Sequence, residues 1–180
     1  ARGLSLVYPN PKYAVYSDTP GVDMAESTKN VFISHVHKDD AGLRDLKDLL
    51  AKHGMGVRDS SINSDRPNNA QSPEYIKHEI LAPRIDWAST MIVYISPETK
   101  NSEWVNWEIE RAHKQDKTII GVWERGANGC EVPEALDQYG DAIVGWNGPR
   151  IIDAINGEYE EFEDSSGNPQ GTRPIRRHPC

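Results

Sequence analysis

Cysteine is nearly absent from this sequence: 180 residues contain two, Cys130 and Cys180, and no CxxC pair. That excludes a disulfide framework. Long apolar runs are missing as well. None approaches the ~20 residues needed to span a bilayer. "LSLVY" near the start, preceded by the single Arg2, is too short for the apolar core of a signal peptide. A cytoplasmic protein with no membrane partner is expected. Basic charge is scarce too, with 20 Lys and Arg against 28 Asp and Glu, a formal net charge of -8. Nucleic-acid binding needs a basic footprint to neutralise phosphates, so that class is excluded. The one basic cluster, "TRPIRRHPC" at 172–180, reads as a solvated tail.

Several chemical signatures are also absent. No GxGxxG follows the first strand and no GxxxxGK[ST] occurs, so neither a Rossmann cradle nor a P-loop is supported. No GxSxG elbow is present. His35 and His37 form an HxH at a strand end that could bind zinc, but no acid or cysteine stands at a matching ligand spacing. A solvent-exposed loop pair is the better reading, and no metal is expected. A receiver domain would need an acceptor Asp at the end of its central strand, where this chain has Ser96-Pro97.

What is present is a regular alternation. Residues 1–29, with Pro9, Pro11, Pro20 and three tyrosines, read as an extended arm with one edge strand near "KYAVYS". "NVFIS" (30–34) is a short apolar run suited to a strand buried on both faces. A helix follows, with Leu43, Leu46, Leu49 and Leu50 on one face, a cap from Asp39 or Asp40, and Gly54 at its end. "GVRDSS" (56–61) is a second strand and 62–71 a polar loop. Ser72-Pro73-Glu74 opens a helix that Pro83 should kink or end, with an irregular passage through Trp87. "TMIVYIS" (90–96), "TIIGVW" (118–123) and "DAIVGW" (141–146) are strands, and 148–157 is a last helix. The expected organisation is an arm at 1–29, one domain at 30–157 and a mobile tail at 158–180. Buried strands alternating with amphipathic helices imply an α/β fold, a central parallel sheet with helices on both faces. Ligands of such sheets lie beyond the carboxyl ends of the strands. Here that means Ser34–His37, Asp59–Ile62, Ser96–Ser102 and Trp123–Arg125.

The segment "NSEWVNWEIERAHKQDK" (101–117) holds three glutamates and two tryptophans. On a helical wheel, Val105, Ile109 and Ala112 fall within roughly 60° and face the sheet. Glu103 and Glu110 lie almost opposite. Glu108 is only about 65° from the centre of the apolar stripe, with Trp104 one turn before it and Arg111 on the same flank. Side chains lean toward the helix N-terminus, so Glu108 is directed back toward the strand-end loops. Two readings stand on spacing alone: a carboxylate held at a binding face, or a boundary acid paired with Arg111 or another cation while Trp104 fills core.

"VFISH", "VRDSS", "MIVYISPETKNSEWVNWEIERA" and "TIIGVW" together resemble a TIR domain, and most closely the TIR-like proteins of bacterial Thoeris anti-phage systems. The resemblance spans about 30–155. It implies a flavodoxin-like three-layer sandwich. It also implies cleavage of the nicotinamide–ribose bond of NAD+, taken as substrate with no cofactor, and release of a cyclic ADP-ribose-type signal sensed by a separate effector protein. By position, the family's catalytic glutamate falls on Glu108 and its neighbouring aromatic on Trp104. The nucleotide-contacting positions fall on Ser34 and His35 after the first strand and on Asp59 and Ser60 after the second. Self-association through TIR–TIR contacts is also implied. Two other readings remain: a non-catalytic TIR module that signals by self-association, and a glycosyl-transfer enzyme similar to nucleoside deoxyribosyltransferases.

Overall fold

The structure is a computed structural model that describes residues 27–61, 72–128 and 130–170, except the side chain of His37. The expected edge strand at "KYAVYS", the polar loop at 62–71, the basic end and Cys180 lie outside the described residues.

Five strands form one parallel sheet: β1 (Ser27–Ser34), β2 (Met55–Asp59), β3 (Thr90–Ile95), β4 (Thr118–Trp123) and β5 (Ala142–Val144). Their order across the sheet is β2-β1-β3-β4-β5. This is the flavodoxin-like winding, whose order reverses between β1 and β3. Helices cover both faces, as the sequence implied. α1 (Asp40–Lys52) and α6 (Gly148–Ile155) pack on one side. On the other lie α2 (Pro73–Tyr75), α3 (Ala82–Trp87), α4 (Glu103–His113) and α5 (Glu134–Tyr139).

Side-chain alternation along each strand divides the core in two. Val31, Ile33, Ile92, Tyr94, Ile120 and Val122 face α1 and α6. Phe32, Met91, Val93, Ile95, Ile119 and Trp123 face the other helices. Period-two strands buried on both faces read as continuous apolar runs, which is why β3 was plain in the sequence. Gly121 is a glycine because α5 presses on β4 there: a Cβ would stand 2.8 Å from Leu136 Cδ2.

Three expectations are corrected. Asp39 occupies the N-cap of α1, but neither it nor Asp40 caps the helix with its side chain; a 3-10 turn at His37–Asp39 leads in instead. Pro83 does not end its helix. The chain widens into a π segment, Ile76–Leu81, where the Ala82 N–H bonds to the Lys77 carbonyl, and then runs on as α3 to Trp87. A proline has no N–H and crowds the carbonyl four residues back, and a wider turn relieves both demands.

The third correction concerns the end of the domain. Residues 158–170 are not a loose tail. Phe162 bridges Ile143 in parallel beside β5, with Glu163 N–H donating to Ile143 O at 2.8 Å. The Glu163 carboxylate is buried, 2 % exposed as a residue. It accepts from Gly145 N (2.7 Å), Arg150 Nη1 (2.7 Å) and Tyr159 OH (2.6 Å), while Trp123 Nε1 donates to its carbonyl at 2.8 Å. Charge-assisted bonds to a buried carboxylate outweigh the entropy of a polar segment that composition marks as mobile.

Candidate functional site

The carboxyl ends of β1 and β3 are the place where a doubly wound sheet receives a ligand. α4 delivers a carboxylate there. Its start is fixed by Ser102, whose hydroxyl accepts from Val105 N–H at 3.2 Å, after a buried turn in which Thr99 Oγ1 bonds to the Tyr94 carbonyl and the Ser96 N–H. Val105, Ile109 and Ala112 are fully buried against the sheet and Glu103 and Glu110 are exposed, so the helix has the rotation read from its sequence. Glu108 is accordingly at the boundary and 4 % exposed.

Glu108 Oε2 accepts a 2.5 Å hydrogen bond from the Ser34 hydroxyl, the last residue of β1, across 74 positions of sequence. Ser34 is itself fully buried. Arg111, the cation offered as an alternative partner, instead holds Asp86 through both Nε and Nη2. The carboxylate thus reaches the end of the first strand, at the point where the strand order reverses.

The other candidates are placed differently. His35 follows Ser34, and its ring is turned back: Nδ1 lies 2.8 Å from the Ile33 carbonyl and Nε2 3.4 Å from Asp40 Oδ1. A carbonyl can only accept, so Nδ1 carries the proton. Asp59 braces the first two strands. Its Oδ1 accepts from Ser61 N–H at 2.9 Å and from Ile33 N–H at 3.4 Å, and its Oδ2 pairs with Lys47 Nζ at 2.6 Å. Ser60 donates to the Arg84 carbonyl at 2.8 Å. Asp59 is in register with Val31, so β2 stops three residues short of Ser34. The structure therefore brings Ser34 and Glu108 into contact, sets His35 beside them in the chain, and leaves Asp59 and Ser60 engaged farther back. Trp104, one turn before Glu108, packs against the core, and Lys77 Nζ lies 5.6 Å from the centre of its ring.

Two acids that no motif singled out belong to the same end of the sheet: Asp39, before α1, and Glu124, directly after β4. Burial pushes both carboxyls up; the charge of Asp39 adds to the rise at Glu124, and the charge of Glu98 adds to the rise at Asp39. Burial, then Glu124, pushes the Cys130 thiol up to about 11 and the Tyr94 hydroxyl up to about 12, so neither is ionised near neutrality. For Glu124, its position one residue past the end of β4 was the available signal. Among the described residues no three His, Cys, Asp or Glu side chains gather as a metal site. No helix among them is long and apolar enough to cross a membrane.

No curated protein sequence matches the chain. Solved structures of similar shape include a CMP N-glycosidase, BcmB, from Clostridium botulinum, at 17% identity and TM-score 0.43, covering 71% of this chain and 98% of that one. The TIR domain of the Toll-related receptor TRR-2 from Hydra magnipapillata is also 17% identical, at TM-score 0.46, covering 71% of this chain and 92% of that one. The family model described as the TIR-like domain of the Thoeris protein ThsB matches residues 32–129, a span that holds the end of β1, all of β3, α4 and β4, and the Ser34–Glu108 contact. The chain belongs to the Thoeris ThsB TIR-like family.

Proposed function

We propose that this protein cleaves the bond between nicotinamide and ribose in NAD+, with Glu108 as the catalytic carboxylate, and that the product is an ADP-ribose-type signal for a separate effector protein. The observation that carries this reading is the buried Glu108 carboxylate bonded to Ser34 at the carboxyl end of β1. Family membership supports it.

Departure of nicotinamide leaves positive charge on the ribose ring. A fixed carboxylate in a largely dry site offsets that charge and accepts hydrogen bonds from ribose hydroxyls that strengthen as it develops. Nicotinamide leaves as a neutral base, so no general acid is required. The ribose carbon is then taken by water, giving ADP-ribose and a proton, or by a nitrogen of the same nucleotide's adenine, giving a cyclic product. Ser34 orients the carboxylate from beneath, and His35, next in the chain, lies against the nucleotide. Asp59 and Ser60 keep the end of β2 in place beside them. Trp104 offers a flat wall for the departing ring.

The test is mass spectrometry of the nucleotides formed from NAD+, together with nicotinamide release. Wild type should release nicotinamide, and Glu108→Gln should lower turnover by about 10²–10³-fold, the cost of losing a preorganised electrostatic group. Full turnover by Glu108→Gln would remove the assigned role. Cleavage of free nucleosides in place of NAD+ would move the protein to the glycosyl-transfer reading.

A further inference from the structure

Lys77 does not point freely into water. Its ammonium nitrogen lies 5.6 Å from the ring centre of Trp104 and 5.8 Å from that of Trp107. Both distances fall within the ~6 Å at which an aromatic face attracts a cation. The two indoles are three residues apart on α4 and so share one flank of it. The His78 ring meets Trp107 edge-on at 6.0 Å and steadies it. Lys77 belongs to the π segment Ile76–Leu81, and π turns recur where function demands a particular side-chain placement. Its side chain is 26% exposed, and Glu74 Oε1 is 3.8 Å away on the same helix. The ammonium group therefore has a carboxylate to retreat to. A lysine on a flexible stem gives up such a position more readily than an arginine held by a bidentate fork.

We propose that Lys77 is a specificity-determining residue: it occupies the cation position on the Trp104–Trp107 pair, and an aromatic cation binds there by displacing it. This rests on the reading of Trp104 as the wall for the departing ring. A pyridinium carries the charge needed to compete with Lys77, whereas the neutral nicotinamide formed on cleavage does not. Lys77 then returns to the indoles and expels the spent base. The site selects the charged substrate ring over the neutral product ring.

The experiment measures binding and needs no turnover. The full chain, with 15N-labelled tryptophan, is titrated with 1-methylnicotinamide and separately with neutral nicotinamide, following the indole N–H signals. Lys77→Met should bind 1-methylnicotinamide on the order of tenfold more tightly than wild type. The shifts should fall on Trp104 and Trp107, and neutral nicotinamide should gain far less. Lys77→Arg should bind 1-methylnicotinamide more weakly than wild type, because an arginine leaves the indoles less readily. Unchanged or weaker binding of the cation by Lys77→Met, an equal gain for the neutral ring, shifts at other indoles, or no binding by either protein would each overturn the proposal. A gain in cation affinity without any NAD+ cleavage would keep this inference and reject the proposed reaction. Cleavage lost in Glu108→Gln, with cation affinity indifferent to Lys77, would do the reverse.

Discussion

The Ser34 hydroxyl and the Glu108 carboxylate are both buried and bonded to each other. Ser34→Ala removes one donor from the buried carboxylate. It should cost about 1–3 kcal/mol in urea-induced unfolding, the desolvation penalty of a buried acceptor. A variant as stable as wild type would mean that the hydroxyl is replaced by another donor. Asp39 gives a pH-dependent prediction. Burial raises its carboxyl above the ordinary value, so the fold favours the neutral form. The stability tied to that form is present below the ordinary carboxylate range and is lost as pH rises through the raised value. Asp39→Asn should therefore melt at a higher temperature than wild type at neutral pH, with the difference vanishing in acid. An equal difference at both ends would refute this. At this scale the sequence was legible for Glu108, because a helical wheel fixes which acid sits at the edge of an apolar stripe. It was silent on the Ser34 contact, because no local rule says which strand end faces a helix 74 residues away. It also could not show that Asp59 and Ser60 have their polar atoms bound to Lys47, Ile33, Ser61 and Arg84, contacts made by folding alone.

Elements meet at close tolerances on the β4–α5 face. Gly121→Ala places a methyl group 2.8 Å from Leu136 Cδ2 and 3.1 Å from Ile95 Cδ1. Both neighbours are fully buried, so neither can move aside cheaply. The substitution should destabilise by about 1–3 kcal/mol in chemical denaturation, the usual cost of overpacking, and no loss would mean that α5 shifts freely on the sheet. The sheet and its helices were readable from periodicity, since β3, β4 and α4 carry patterns that only one geometry buries. The π segment was not. Pro83 breaks the local helical rule, and the chain answers by widening the turn before it, so that Ile85 and Leu81 still reach the core. Propensity describes a proline in an ordinary helix and contains nothing about a neighbouring turn that can dilate.

On the scale of the whole molecule, the decisive question is where the folded unit ends. A polar, acidic stretch after Gly157 has the composition of a tail, and the family model ends at residue 129, so neither marks the boundary. The packing does. Residues 161–163 pair with the edge strand β5, Trp123 at the end of β4 donates to the Glu163 carbonyl, and Arg150 of α6 holds the Glu163 side chain. Three elements thus lean on residues 161–163: β5 and β4 through the backbone, α6 through the Glu163 carboxylate. A chain ended after Gly157 loses that acceptor set, strips the cover from Ile143 and leaves the Trp123 N–H to find water. One ended after Gln170 keeps all of these contacts. The shorter chain should lose about 3 kcal/mol or more of unfolding free energy, because the buried Trp123 and Gly145 N–H donors lose their acceptors at about 1–3 kcal/mol each, while the longer one unfolds at the same denaturant midpoint as the full sequence. Glu163→Gln in the full chain should reproduce part of the loss, about 1–3 kcal/mol, because the segment stays in place while its charge-assisted bonds weaken. If the chain ended after Gly157 matched the full sequence, residues 158–170 would be an attachment lying on the domain, and β5 would need no neighbour to remain the edge of the sheet.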